Sequence, residues 1–273
     1  MNAVIPRLVA TDLDGTLVRS DGTISARTVE AVTSVLRSGA EVVFVTGRPP
    51  RKMADIRRTF GAGGLAICSN GALVYDLGTR NLVVERPIEP SVLVKAAGRL
   101  RAAVPDIGLA VEYAADLAGD EVYEPWDWDA DVTLQRLPDA DLLARPAPKL
   151  LGRHHLLSAD QLLDLVAPHL GDLVTVYHSN GLRLVEAVAK GVSKASALAR
   201  LAAERGISRA EVVAFGDMPN DLPMLEWAGR SYAVANAHPR VLGMVDHVID
   251  GNDDDGVAKV LERLFPLTAG FIH

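Results

Sequence analysis

The chain reads as an α/β protein, a parallel-sheet core interrupted by an inserted α+β unit of about 100 residues. Three observations predict this. Short apolar runs alternate with amphipathic segments at both ends of the chain. The middle loses that alternation and carries a hairpin signal. The apolar runs at the two ends finish in short polar motifs, where open parallel sheets place their ligands. At 273 residues there is room for one large domain or two ordinary ones.

Leu8, Val9 and Ala10 form a buried strand that runs into "TDLDGT". If the extended direction continues, Asp12 and Asp14 project to the same side, and two carboxylates that close need a cation or a shared proton. Ser25 then caps a helix in which Val29, Val32 and Leu36 recur, and Gly39 suits the position after its end. "EVVFVTGRPP" is a buried strand ending at Thr46-Gly47, with Pro49 and Pro50 opening a helix that stops near Gly61. "GLAICSNGALVYD" reads as a strand, an Asn70-Gly71 turn and a second strand. Strand–helix order of this kind implies right-handed crossovers and a parallel sheet.

From about Val84 to Glu186 the signals are helix 90–104, strand 108–113, an irregular "GDEVYEPWDWDADV", strand 149–156 and helix 158–169. Two strands, "DLVTVYHS" and "GLRLVEAV", follow around a tight "SNG" turn and must pair antiparallel. Beyond residue 190 the alternation returns, with helix 193–205, strand 211–216, a helix from about 219, strand 231–235 and a last helix 254–264. The division expected is a core of residues 1–83 and 187–273 with an inserted unit of residues 84–186.

Charged residues make up 23% and the apolar class 49%, as in ordinary globular proteins. A net charge of −7 without any Lys- or Arg-rich run argues against nucleic acid as partner. No apolar run approaches the roughly 20 residues of a membrane helix, and residues 1–15 lack signal-peptide order. The lone Cys68 excludes an intramolecular disulfide and, ending the run "LAIC", is expected in the core. The expectation is a cytoplasmic protein, monomeric or a small homo-oligomer.

Four motifs carry the chemistry: "DLDGT" (12–16), "VFVTGR" (43–48), "GVSK" (191–194) and "FGDMPND" (215–221). Each lies at a predicted strand end or at a helix start facing one. Together they make a phosphate site. Mg²⁺ takes hard oxygen ligands, and Asp12 and Asp217 supply carboxylates from neighbouring strand ends. The Thr46 hydroxyl, backbone N–H groups near Gly47, and Lys194 supply donors for phosphoryl oxygens. Lys194 follows the N-cap Ser193, where the helix dipole disfavours a cation unless an anion is bound there. Glycine at 15, 47 and 216 lets backbone approach a ligand closely.

These motifs, in this order, resemble the haloacid dehalogenase-like phosphohydrolase superfamily. The 84–186 insertion, with "SNGALVYD" before it and "AVANAHP" and "NDDDGVA" after it, looks like the Cof-type branch, whose α+β (C2B-type) cap lies between the second and third motifs. The resemblance implies a Rossmann-like core and a Mg²⁺-dependent phosphatase for a small phosphomonoester, a sugar phosphate or similar metabolite. It makes Asp12 the nucleophile that becomes an aspartyl phosphate, and Asp14 the acid and then the base. It gives Mg²⁺ to Asp12, the Asp14 carbonyl and Asp217. It gives the phosphate to Leu13 N–H, Thr46, Gly47, Lys194 and Asn220, with Asp221 orienting its neighbours. Lys190 competes with Lys194 for the motif lysine; Lys194 is preferred because it follows "GVS".

Specificity is expected from the insertion, with Arg48, His154, His155, His178, Asn180, Arg183 and the Trp126/Trp128 loop as candidate substrate contacts. Adjacent His154 and His155 in a strand cannot both face the site. Asp253–Asp255 read as a solvated acidic start to the last helix. Among rival readings, a phosphomutase would use the same nucleophile and acid. A phospho-acceptor of the receiver type has no use for the insertion. A pure ligand-binding module needs neither Asp14 nor the lysine.

Overall fold

In the computed structural model the described residues are 5–61, 63–130, 132–178, 182–245 and 247–266, with the side chain of Trp128 excepted. The first strands are β1 (Leu8–Thr11), β2 (Glu41–Val45), β3 (Leu65–Cys68), β4 (Leu73–Asp76) and β5 (Leu82–Glu85). Then come β6 (Gly108–Glu112), β7 (Leu117–Gly119), β8 (Gln135–Arg136), β9 (Lys149–Arg153), β10 (Val174–Tyr177) and β11 (Leu184–Ala189). The last are β12 (Val212–Gly216), β13 (Arg230–Val234) and β14 (Val248–Ile249).

Among the described residues they form two sheets, ordered β14-β13-β12-β1-β2-β3-β4-β5 and β10-β11-β9-β6-β7-β8. The first is parallel from β14 to β3, and β4 and β5 add antiparallel at one edge. The second is antiparallel except for β7 with β8. The fold is therefore α/β with a parallel-sheet core, as the alternation predicts.

The central parallel strands are buried on both faces, so their sequences are largely apolar: all four residues of β1 and all five of β12 are buried. The Ser25 hydroxyl accepts from Thr28 N–H at 3.0 Å and starts the helix Ala26–Arg37, which packs on Gly256–Leu264. The second sheet has its own apolar cluster, built from Leu93, Leu100, Leu150, Leu162 and Val166. β5 stays in the first sheet through Glu85, and β11 stays in the second through Ala189.

Some expectations shift. The strand read as 149–156 stops at Arg153, because the His154 ring accepts from the N–H groups of Leu156 and Leu157 and turns the chain. His154 and His155 therefore stack on each other outside the strand. The segment read as irregular is followed by β8 and by a short helix, Asp139–Leu142, that lacked a periodic signal. The "SNG" turn lies outside the described residues, and its flanking strands pair antiparallel. The acidic run before the last helix is more than a solvated helix start: Asp253 accepts from Ser20 N–H and Oγ, and Asp255 pairs with Arg19 at 2.8 Å.

Candidate active site

β12, β1 and β2 are parallel neighbours, so Asp217, Asp12 and Thr46 leave the sheet at the same end. Asp12 N–H donates to the Phe215 carbonyl at 3.0 Å, which carries the ladder one residue past the strand. Gly15 has φ +81°, and a Cβ there would lie 2.5 Å from Asp217 Oδ2, so only glycine closes this turn. Thr16 Oγ donates to Asp217 Oδ1 at 2.6 Å. Facing these ends, Ser193 caps the helix Lys194–Glu204 with a reciprocal Ser193–Ser196 pair of hydrogen bonds.

Lys194 Nζ donates to Asp12 Oδ1 and to Asp221 Oδ1, both at 2.6 Å, and is 1% exposed. Asp221 Oδ2 accepts from the N–H groups of Asp217 and Met218, each at 3.0 Å. Carboxylate oxygens of Asp12, Asp217 and Asp221 lie within 4.8 Å of one another. Burial raises the Asp12 pKa well above the carboxylate range; Lys194 opposes the rise and Asp221, Asp217 and Asp14 add to it. Burial and the Asp221 charge push Asp217 up to about 7 against the Thr16 hydrogen bond. Burial also opposes the charge of Lys194, but Asp12 and Asp221 outweigh it and hold the ammonium above its ordinary pKa. Three buried carboxylates share one ammonium here, and a hard, oxygen-seeking dication fits the donor set and the charge imbalance.

The structure separates Asp14 from this group. The strand ends at Thr11, so the alternation argument does not reach Asp14. Its carboxylate is half exposed and held by Arg48, with Nε to Oδ2 at 2.7 Å and Nη2 to Oδ1 at 2.5 Å. Arg48 also pairs with Asp55 at 3.1 Å. Leu13 is fully buried, and its carbonyl accepts from the N–H groups of Thr16, Leu17 and Val18. Thr46 is buried, and its hydroxyl accepts from Arg48 N–H at 3.0 Å. Lys190 lies outside the site, donating to the Asp172 carbonyl, so of the two lysines only Lys194 is in place.

A cavity of about 260 Å³ opens over these residues. Asp12, Asp14, Thr46, Gly47, Arg48, Lys194 and Asn220 line it from the first sheet. Trp126, Asp127, Leu182, Leu184 and Glu186 line it from the second. Of the candidate substrate contacts, Arg48 and Trp126 are on the cavity. His154, His155, His178 and Arg183 are not: Arg183 donates to the His155 carbonyl at 2.5 Å, and His178 Nε2 bonds Asp160 at 3.0 Å. Asn180 and the Trp128 side chain lie outside the described residues.

His238, from the first sheet's side, also reaches Asp160, at 3.3 Å. Its Nδ1 accepts from Arg240 N–H, which leaves the ring proton on Nε2, so that nitrogen donates to Asp160 and offers no lone pair to a metal.

Sequence reasoning passed over Asn70, Lys149 and Glu186, all buried beside the site. The legible signal was a lone charge inside a buried strand run, as in "PKLLGR" and "RLVEAV".

The sequence pattern of the haloacid dehalogenase-like hydrolases matches residues 9–261. This chain belongs to that family. Among curated relatives it is 29% identical to a phosphoglycolate phosphatase of Methanoculleus marisnigri, over 95% of this chain and 97% of the relative. It is 25% identical to the 5-amino-6-(5-phospho-D-ribitylamino)uracil phosphatase YitU of Bacillus subtilis, over 96% and 98%. The crystal structure of TM0651 from Thermotoga maritima superimposes with a TM-score of 0.76 at 28% identity, covering 94% of this chain and 97% of that one. The haloacid dehalogenase-like hydrolase described here is an enzyme, a phosphatase. Among its described residues no helix is long and apolar enough to cross a membrane.

Proposed function

We propose that the enzyme is a Mg²⁺-dependent phosphatase of a small phosphomonoester, a sugar phosphate or similar metabolite, working through an aspartyl phosphate on Asp12. The observation that carries this is the buried Asp12–Lys194–Asp221 contact at the floor of a cavity that Thr46, Gly47 and Asn220 also line. Mg²⁺ would be held by Asp12, Asp217 and the Asp14 carbonyl, and when bound it neutralises phosphoryl charge.

The chain's own residues do the rest. An Asp12 carboxylate oxygen attacks phosphorus, and the bond to the leaving oxygen breaks. Asp14 gives that oxygen its proton, then takes one from the water that hydrolyses the acyl phosphate and regenerates Asp12. Both Asp14 oxygens are engaged by Arg48 in the structure, so this step requires that pair to open. An anionic substrate entering beside Arg48 competes for the guanidinium and favours the opening. Lys194, Thr46 and the backbone N–H groups of Leu13 and Gly47 stabilise the phosphoryl oxygens, with Asn220 beside them. Residues 84–186 contribute the wall that reads the leaving group; the two relatives, similar to this chain at 25% and 29% identity, are named for different phosphates.

The test is phosphate release from sugar, nucleotide and vitamin phosphates and an aryl phosphate, with Mg²⁺ or with EDTA. Release should require Mg²⁺, and Asp12→Asn should lower it by at least about 10⁴-fold. Phosphoryl retention on a sugar bisphosphate without release would instead indicate a mutase.

A further inference from the structure

Ser69, Asn70 and Gly71 have φ of +49°, +55° and +102°, three left-handed residues in a row between two strands. A reading of Asn70-Gly71 as a simple hairpin turn does not account for this backbone, or for Asn70 being 0% exposed. The segment lies behind three elements of the phosphate site. Asn70 N–H donates to the Thr46 carbonyl at 3.1 Å, and Ser69 N–H to the Arg48 carbonyl at 3.0 Å. A Cβ on Gly71 would collide with the Ser193 carbonyl, at the start of the Lys194 helix. The Asn70 side chain accepts from Asn220 Nδ2 at 2.9 Å and donates to Glu186 Oε2 at 2.9 Å.

Glu186 belongs to the second sheet, and so does its partner Lys149, at 2.8 Å. Lys149 also pairs with Glu112 at 2.8 Å and donates to the Gly47 carbonyl at 2.7 Å. The carbonyls of Thr46, Gly47 and Arg48 are thus tied in succession, by Asn70, Lys149 and Ser69. With its three carbonyls held from behind, the Thr46–Arg48 loop has one orientation toward the cavity. Asn220 is oriented by the same buried chain.

Resting on the phosphate reading above, we infer that Asn70, Glu186 and Lys149 are positioning residues: a buried relay by which the inserted unit sets Thr46, Gly47 and Asn220 for phosphate. Glu186 lines the cavity, so the competing role is direct contact with the leaving group. The two differ in what they predict for a ligand that has no leaving group.

The experiment measures the dissociation constant of inorganic phosphate at saturating Mg²⁺, by calorimetry on the full chain, with urea midpoints to confirm folding. Lys149→Met is avoided, since it takes the paired ammonium from buried Glu186 and leaves Glu112 with Arg51 alone. Glu186→Gln keeps the shape but offers one acceptor oxygen where two are used. It should weaken phosphate about 10-fold, with the same factor in KM for esters of unlike leaving groups. Asn70→Asp places a carboxylate against Glu186, and should weaken phosphate at neutral pH. Once that acid is protonated it can donate to Glu186 and accept from Asn220, so affinity relative to the parent should recover as pH falls.

Asn220→Ala is the control for the site itself. If Asn220→Ala weakens phosphate and the other two variants bind it as the parent does, the relay is overturned. An effect of Glu186→Gln confined to particular esters overturns it too. If the parent takes up no phosphate, or Asn220→Ala changes nothing, the phosphate reading fails and the relay with it.

Discussion

Two lysines in this enzyme are equally buried and serve different ends. Lys194 and Lys149 are each 1% exposed, each lies between two carboxylates, and each is held above its ordinary pKa by those carboxylates against the cost of burial. Lys149 has its third direction closed by the Gly47 carbonyl. Lys194 faces the cavity beside Asp12, and the carboxylates around it outnumber the ammonium. Burial and charge pairing are therefore poor guides to chemistry by themselves. What sets Lys194 apart from Lys149 is its place on the cavity, which is where the proposed chemistry needs a cation.

Removing each charge in turn gives the largest expected effects. Lys194→Met should lower kcat/KM by about 10³-fold, read with an aryl phosphate. Lys149→Met should lower unfolding free energy by about 3–5 kcal/mol in urea titrations, because it takes the paired ammonium from buried Glu186 and leaves Glu112 with Arg51 alone. Equal effects on both readouts for the two variants would erase the distinction.

A smaller effect comes from the carboxylates that Lys194 does not neutralise. Asp217 sits at about 7, so at neutral pH part of the population must lose a proton to hold a cation. Mg²⁺ affinity should rise as pH goes from about 6 to about 8, with proton release visible as a buffer-dependent heat in calorimetry.

Smaller again is the contribution of His178. Burial lowers its pKa, against a hydrogen bond and charge from Asp160, with His238 and Glu186 also facing it. A base with a depressed folded pKa favours the unfolded chain as it protonates. Its contribution is intact above the unfolded value of 6.5 and declines as pH falls below it. The urea midpoint should drop between about pH 7 and about 5, and His178→Gln should flatten that drop. Asp160 is also shifted: burial would raise its pKa, but the two histidine hydrogen bonds outweigh this and lower it below 3.8, so its own contribution is lost only in stronger acid.

The smallest effect is a null one. Burial pushes the Cys68 thiol up to about 12, so alkylating reagents should leave native activity unchanged at about pH 8 and react only after denaturation.

The two regions were unequally legible in the sequence. Core strands announce themselves, since a parallel strand buried on both faces is a continuous apolar run, and the polar residue that ends it marks the ligand edge. Asp12, Thr46 and Asp217 were readable for that reason. Asp14 was only half readable, because strand alternation stops at Thr11 and an arginine from the next motif takes its carboxylate. The relay was not readable. Lys149 and Glu186 are distant in sequence from Gly47 and Asn70, and the register that brings them together is a property of the second sheet. The histidines misled because a polar ring in a strand-like run looks like a ligand, whereas His154 only closes a turn.

The wall formed by Trp126 and Asp127 belongs to a loop that none of the buried carboxylates of the core depends on. The Trp126 ring is stacked under the Arg153 guanidinium at 3.8 Å, and Arg153 is in turn bonded to the Glu124 carbonyl. On the proposed reading, the loop that would select the substrate is separate in the chain from the carboxylates that would react, while the second sheet still holds the phosphate loop through Lys149. On that reading, randomising residues 124–127 exchanges which phosphate is taken and leaves the Asp12, Asp217 and Lys194 cluster as it is.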